Sequence, residues 1–255
     1  MQNKTVVVVG DKFSEFASLE GVTTVSKLAH LLDGTGDKHG LPEQIVLGQG
    51  ISESWLMYLK KRAKACELPA LFVGEHLVSD RTGRRHSHKW QRRNVLITDP
   101  QNVADGRYHM FLSIDDECEI MSDHVTGHHI QGMVLVEAAR QAFLAVTETF
   151  HLQDNEKYYF VINTFNISYH KFAFPVPLEI RLDLTDTDRS RPDRLGAKAH
   201  IRFYQCDQCV CDVEVGYTAI LESRLSPKER TMAQAALGHA LSQEVTEPEM
   251  SRLAA

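Results

Sequence analysis

Residues 133–150 carry neither glycine nor proline, and Met133, Val134, Leu135, Val136, Ala138, Ala139, Ala142, Phe143, Leu144 and Val146 leave that stretch almost no polar side. The pattern predicts a helix over about residues 131–150. A helix apolar nearly all round is stable only where other elements surround it. The rest of the chain must therefore supply a layer that wraps it. Glu137, Arg140 and Gln141 interrupt the apolar surface at i, i+3 and i+4, so they share one face. A carboxylate in such a place either pairs with a charge or has its pKa raised by desolvation. Mutual neutralisation of Glu137 and Arg140 is one reading, and a chemical role is the other.

The segment just before this helix favours chemistry. Asp123, His124, His128 and His129 lie close to Gly132, at a helix start whose N–H groups have no intrahelical partners. Such donors can polarise a thioester carbonyl, histidine is the natural base near neutral pH, and a carboxylate can orient it. A metal site is not expected. His128 and His129 are adjacent and cannot easily converge on one ion, and Cys206, Cys209 and Cys211 have no second pair to complete a zinc tetrahedron. The cysteines read as hairpin packing, with Cys209 and Cys211 on one face of a strand. No G-x-S-x-G elbow is present, and no cofactor is expected.

The first 78 residues alternate short apolar strands with helices: strands at 5–10, 22–25, 43–50 and 68–74, helices at 13–20, 26–34 and 52–67. This predicts a small parallel α/β domain. Gly48, Gln49 and Gly50 resemble the start of a G-x-G-x-x-G phosphate loop. Glu53 stands where the third glycine belongs and would repel a pyrophosphate, so the turn reads as a tight βα connection. Residues 79–93 are basic and without period, a linker or flap. Its arginines are either a solvated surface or a patch for an acidic partner or phosphate. From 94 to 225 the chain is β-rich. Strands are expected over 94–103 and 106–115, then, after the helix, four long antiparallel strands with alternation such as Ile180, Leu182 and Leu184. Residues 226–255 form a tail with a helix from about Ser226, Pro227 near its first turn. The fold class is α+β: an antiparallel sheet wrapped around one long central helix, the hotdog arrangement, preceded by the parallel domain. A net charge of -6 argues against nucleic acid as partner, and no run approaches a membrane span. Five cysteines without a secretion signal suggest free thiols in a reducing cytoplasm.

The stretch from Asp123 to Ala142 resembles the A-factor biosynthesis (AfsA-type) hotdog family, whose hallmark D-H-x-x-D-H-V-P-G-M runs into a helix reading L-E-A-A-R-Q-A. Asp123, His124, His129, Gly132, Met133, Glu137, Ala138, Ala139, Arg140, Gln141 and Ala142 match it. His88, Lys89 and the strand from Asn94 to Asp99 match a second family element. The resemblance covers roughly residues 85–225. His128 replaces the family's second aspartate, Gln131 replaces its proline, and the motif occurs once rather than twice, which implies a homodimer. The resemblance implies transfer of a β-ketoacyl group from acyl carrier protein or acyl-CoA to a hydroxylated acceptor such as dihydroxyacetone phosphate, toward a γ-butyrolactone-like signal. His124 would then be the base and Glu137 would orient or share the proton. Gly132 would polarise the carbonyl, His129 and Asp123 would support the loop, and Arg140, Gln141, His88 and Lys89 would contact substrate. A hotdog dehydratase or thioesterase, or a non-catalytic acyl-binding scaffold, are the alternatives.

Overall fold

The computed structural model describes residues 5–34, 41–67, 71–122, 127–153 and 155–242. Strands β1 (Thr5–Val9), β2 (Val22–Thr24), β3 (Gln44–Leu47) and β4 (Leu71–Val73) pair in parallel in the order β2-β1-β3-β4. Helices α1 (Val25–Asp33) and α2 (Glu53–Ala65) start where the sequence supplies an acceptor: Thr24 Oγ1 takes the N–H of Lys27, and Ser52 Oγ takes that of Trp55. The helix expected over 13–20 is instead two 3-10 turns, Asp11–Phe13 and Phe16–Ser18. A stretch this short gains too few i→i−4 bonds to cover the cost of helix nucleation.

A parallel sheet needs cover on both faces. On one side, Val8, Ile45 and Leu47 pack with Leu28, Leu32 and Leu59 of α1 and α2. On the other, Val9, with Val7 and Val22 at its margin, joins the core that also holds the long central helix. The Gly48–Gln49–Gly50 turn forms the seam between the two parts. Gln49 is buried; its Nε2 donates to Leu112 O (3.0 Å) and its Oε1 accepts from Ile114 N (2.8 Å), while its backbone N–H donates to Pro175 O (3.0 Å). A Cβ on Gly48 would fall 2.2 Å from Pro175 O, which explains the glycine. An open α/β sheet takes ligands in the crevice beyond the carboxyl ends of its strands. Here the chain's own 112–114 and 175 segments fill it.

The 79–93 segment is more structured than its composition suggests. It contributes the end of α3 (His76–Ser79), α4 (Arg84–Ser87) and a 3-10 turn at Arg92–Asn94. Arg81 within it is buried, with Nη1 2.6 Å from Asp115 Oδ2, Nε donating to Ser113 Oγ (2.8 Å) and Nη2 to Ile51 O (2.9 Å). Burial pushes this guanidinium's pKa down, and Asp115 pulls it back up.

Strands β5 (Gln101–Ala104), β6 (Arg107–Phe111), β7 (Tyr158–Tyr169), β8 (Glu179–Asp188), β9 (Arg194–Gln205) and β10 (Gln208–Leu221) form an antiparallel sheet in the order β5-β6-β8-β9-β10-β7. The central helix α5 (Gly132–Phe150) packs on it through Ala138, Ala142 and Ala145, whose small side chains permit close approach. Phe143 stacks on Tyr217 at 4.5 Å, and the Tyr217 hydroxyl meets Thr147 Oγ1 at 2.7 Å. This is the expected sheet around one helix, but the helix is not covered all round. Met133 is exposed, and Val136, Glu137 and Arg140 are half-buried, an i, i+3, i+4, i+7 stripe.

Three further expectations are corrected. Residues 94–100 form no ladder strand; Val95, Leu96 and Ile97 are fully buried yet held by isolated bridges, Ile97 to Leu112 and Thr98 to Arg81. A bulge between Cys209 and Cys211 breaks the alternation, burying Val210 and Cys211 and leaving Cys209 half exposed. Helix α6 (Glu222–Ser242) continues directly from β10, starts before Ser226, contains Pro227 and buries no residue. No helix among the described residues is long and apolar enough to cross a membrane.

Replacing Gln49 by alanine would leave Leu112 O and Ile114 N buried and unpaired. The expected loss is about 3 kcal/mol in urea-denaturation stability.

Candidate active site

His88, Lys89, Glu137, Arg140 and Gln141 are brought together along one side of α5. Glu137 is the hub. Arg140 grips it through Nε to Oε2 (2.8 Å) and Nη2 to Oε1 (2.8 Å), Lys89 Nζ reaches Oε1 at 2.8 Å, and Gln141 Nε2 donates to Oε1 at 3.0 Å. Desolvation pushes the Glu137 pKa up, but the donors Arg140, Lys89 and Gln141 outweigh it and hold it below the usual glutamate range. Both oxygens are occupied, so the carboxylate serves as a charged anchor. Helical spacing foretold the Glu137–Arg140 contact; Lys89 arrives from a segment 48 positions away and could not be read from helix periodicity.

Gln141 is fully buried. Its Oε1 accepts from Leu96 N (2.8 Å), and its Nε2 donates to Asn94 O (2.9 Å) besides Glu137. It has no surface exposed in this conformation and ties the ion cluster to the 94–96 backbone. His129 and Gly132 lie at the other end of the site, at the start of α5. The His129 ring tilts against Phe172 (4.8 Å between centroids), and the Gly132 carbonyl accepts from the Tyr169 hydroxyl (3.0 Å). A Cβ on Gly132 would meet that hydroxyl at 3.0 Å, so the glycine admits Tyr169. His128 pairs with Glu15 (3.0 Å), which joins the loop to the N-terminal part. Asp123 and His124 lie outside the described residues.

A cavity of about 940 Å³ opens beside the cluster. Its floor is the α5 face carrying Arg140, Phe143, Leu144 and Glu148. One wall is the start of β7, with Tyr158, Tyr159, Phe160 and Ile162, and the other is the flap, with Arg84, Arg85, His88, Lys89 and Trp90. Adjacent flap residues grip two carboxylates of the same helix. Lys89 holds Glu137, and His88 Nε2 lies 3.0 Å from Glu148 Oε1. The two glutamates are about three turns apart, which returns them to nearly the same face. That i, i+11 spacing was the available signal for Glu148, which the sequence reading missed. Trp90, 87% exposed, hangs at the mouth. An apolar floor, a histidine–carboxylate pair and a cationic flap can together hold an acyl chain, an anionic group and a proton in transit.

The depressed Glu137 pKa gives a signed pH dependence. A carboxylate whose folded pKa lies below its unfolded value stabilises the fold above about pH 4.5, and that stability is lost as pH falls through the folded pKa. Glu137→Gln should therefore destabilise the protein at about pH 7, where Lys89 and Arg140 lose their counter-charge. The gap to the unsubstituted protein should narrow toward about pH 3, as read by denaturant titration at both pH values.

No curated protein matches the sequence. Among solved structures the chain is similar to a phenylacetic acid degradation-related protein from Ralstonia eutropha, at 17% identity over 47% of this chain and 82% of that one, TM-score 0.36. It is similar also to a mutant thioesterase from Pseudomonas aeruginosa (13% identity, 49% and 81%, TM-score 0.37) and an uncharacterized protein from Pyrococcus horikoshii (17% identity, 57% and 94%, TM-score 0.36). The family model for the A-factor biosynthesis hotdog domain matches residues 80–220, more than half of the chain and the whole of the flap, central helix and wrapped sheet. The chain belongs to the AfsA hotdog family.

Proposed function

We propose that this protein is a hotdog acyl-thioester enzyme that transfers a β-ketoacyl group from acyl carrier protein or acyl-CoA to a small hydroxylated acceptor such as dihydroxyacetone phosphate. The observation that carries this reading is the cavity. Its floor of Phe143, Leu144, Phe160 and Ile162 suits an acyl chain, and Arg84, Arg85, Lys89 and Lys157 at its edge suit the phosphate of a carrier arm or acceptor. Family membership supports the same chemistry. Lys89 and Arg140, aligned by Glu137, receive the anionic group. The product would be an acyl ester on the way to a butyrolactone-like signal, made in the cytoplasm.

The purified chain, incubated with β-ketoacyl-CoA or β-ketoacyl carrier protein, is expected to consume thioester faster when dihydroxyacetone phosphate is present, with the ester detected by mass spectrometry. Free acid released at the same rate without acceptor would turn the reading into a thioesterase, and an enoyl thioester formed when a β-hydroxyacyl thioester is offered instead would turn it into a dehydratase. Tight acyl binding without turnover would make the protein a binding module.

The working unit is proposed to be a homodimer joined through β7. Among the described residues this strand pairs only with β10, leaving a long open edge that exposes Val161 and Ile162. Val161→Lys should convert dimer to monomer in analytical ultracentrifugation.

A further inference from the structure

The acyl-transfer reading needs a group that takes the proton from the acceptor hydroxyl, and Glu137 is poorly placed for it. Both its oxygens are held by Arg140, Lys89 and Gln141, and its pKa lies below the usual range. A saturated, low-pKa carboxylate is a weak base. The other carboxylate on the cavity floor, Glu148, has a different partner. Its side chain is only 10% exposed and faces His88 Nε2 at 3.0 Å.

The surroundings of His88 point the same way. It caps α4 in the left-handed conformation, φ 53° and ψ 40°, a strained choice for a residue with a Cβ. Its backbone N–H is anchored to the carbonyls of Arg84 and Arg85. The ring meets Phe160 edge-on at 5.3 Å. Backbone, carboxylate and aromatic wall thus hold one imidazole at the side of the cavity, and such strain collects where position matters more than stability. A carboxylate oxygen can only accept, so Nε2 donates to Glu148 and Nδ1 presents the lone pair. Among the described residues, Nδ1 has no hydrogen-bond partner.

We infer that His88 is the acid–base residue of this cavity and that Glu148 is its positioning residue; the inference rests on the acyl-transfer reading. Nδ1 takes the proton of the acceptor hydroxyl as its oxygen attacks the thioester carbonyl. The new C–O bond forms, the C–S bond breaks, and the imidazolium returns the proton to the departing thiolate sulfur. Ester and free thiol leave, atoms and charge balance, and no further reactant is required.

The test is a comparison of three variants of the full chain by thioester consumption with dihydroxyacetone phosphate. His88→Asn is chosen because asparagine tolerates the left-handed conformation yet cannot shuttle a proton. It should lower kcat by ~100-fold or more while KM moves by less than about threefold, with the thermal midpoint retained. Glu148→Gln keeps a hydrogen-bond acceptor but removes the negative charge. It should lower kcat by about tenfold while KM moves by less than about threefold, because the imidazolium formed in the transition state loses its counter-charge. The other charged groups lining the cavity, Arg84, Arg85, Lys89, Arg140, Glu156 and Lys157, are unchanged in both variants. His86→Asn, on the same flap but outside the cavity lining, is the control. Wild-type turnover that survives in His88→Asn, or that is lost equally in His86→Asn, overturns the inference and leaves the acyl-transfer reading standing. A kcat unmoved by Glu148→Gln overturns the role of Glu148. A wild-type protein that cleaves no thioester in any arm overturns both.

Discussion

One mostly buried carboxylate organises this structure. Glu137 sits in a helix that is otherwise apolar, and charge inside such packing must be matched locally. Arg140 comes from its own helix, Lys89 from the flap, and Gln141 couples the cluster to the backbone of 94–96. Each partner is a constraint on a different part of the chain. The flap lies where it does because Lys89 must reach Glu137, and residues 94–97 run buried without a strand ladder because Gln141 supplies bonds that a neighbouring strand would otherwise give.

The cavity follows from the same arrangement. With Lys89 fixed at one end and His88 fixed on Glu148 at the other, the flap spans the floor formed by Phe143 and Leu144 and cannot collapse onto it. Charge pairing along a single helix face thus keeps open a space that hydrophobic packing alone would tend to fill. Arg140, the last residue of the open stripe, lines that space, and so does the start of β7, the strand that among the described residues pairs on one side only.

Much of this was legible in the sequence because it depends on local periodicity. The central helix and the long strands β8 to β10 announce themselves within a few residues. The Glu137–Arg140 contact does so too. Contacts that reach across the chain were not legible. Nothing local marks Arg81 as buried, since its partners Asp115 and Ser113 lie far along the sequence and its neighbours are polar. Residues 95–97 look like a strand because burial, not pairing, selects their side chains. The bulge at Val210 hides because a single inserted residue leaves composition unchanged. Glu148 was passed over because a lone acid near a helix end ordinarily faces water.

The shared core has a consequence for how the protein is made. The parallel sheet β1 to β4 emerges from the ribosome before the antiparallel sheet, and much of the cover on its second face comes from residues translated later. Gln49 meets Ile114 across 65 positions, and its amide waits longer still for Pro175. Until then Val7 and Val9 share that side only with near neighbours such as Phe13 and Phe16. Contacts of such separation are slow to form, and exposed sheet is prone to stick to other chains. The part synthesised earlier is therefore completed only when the later part has folded against it.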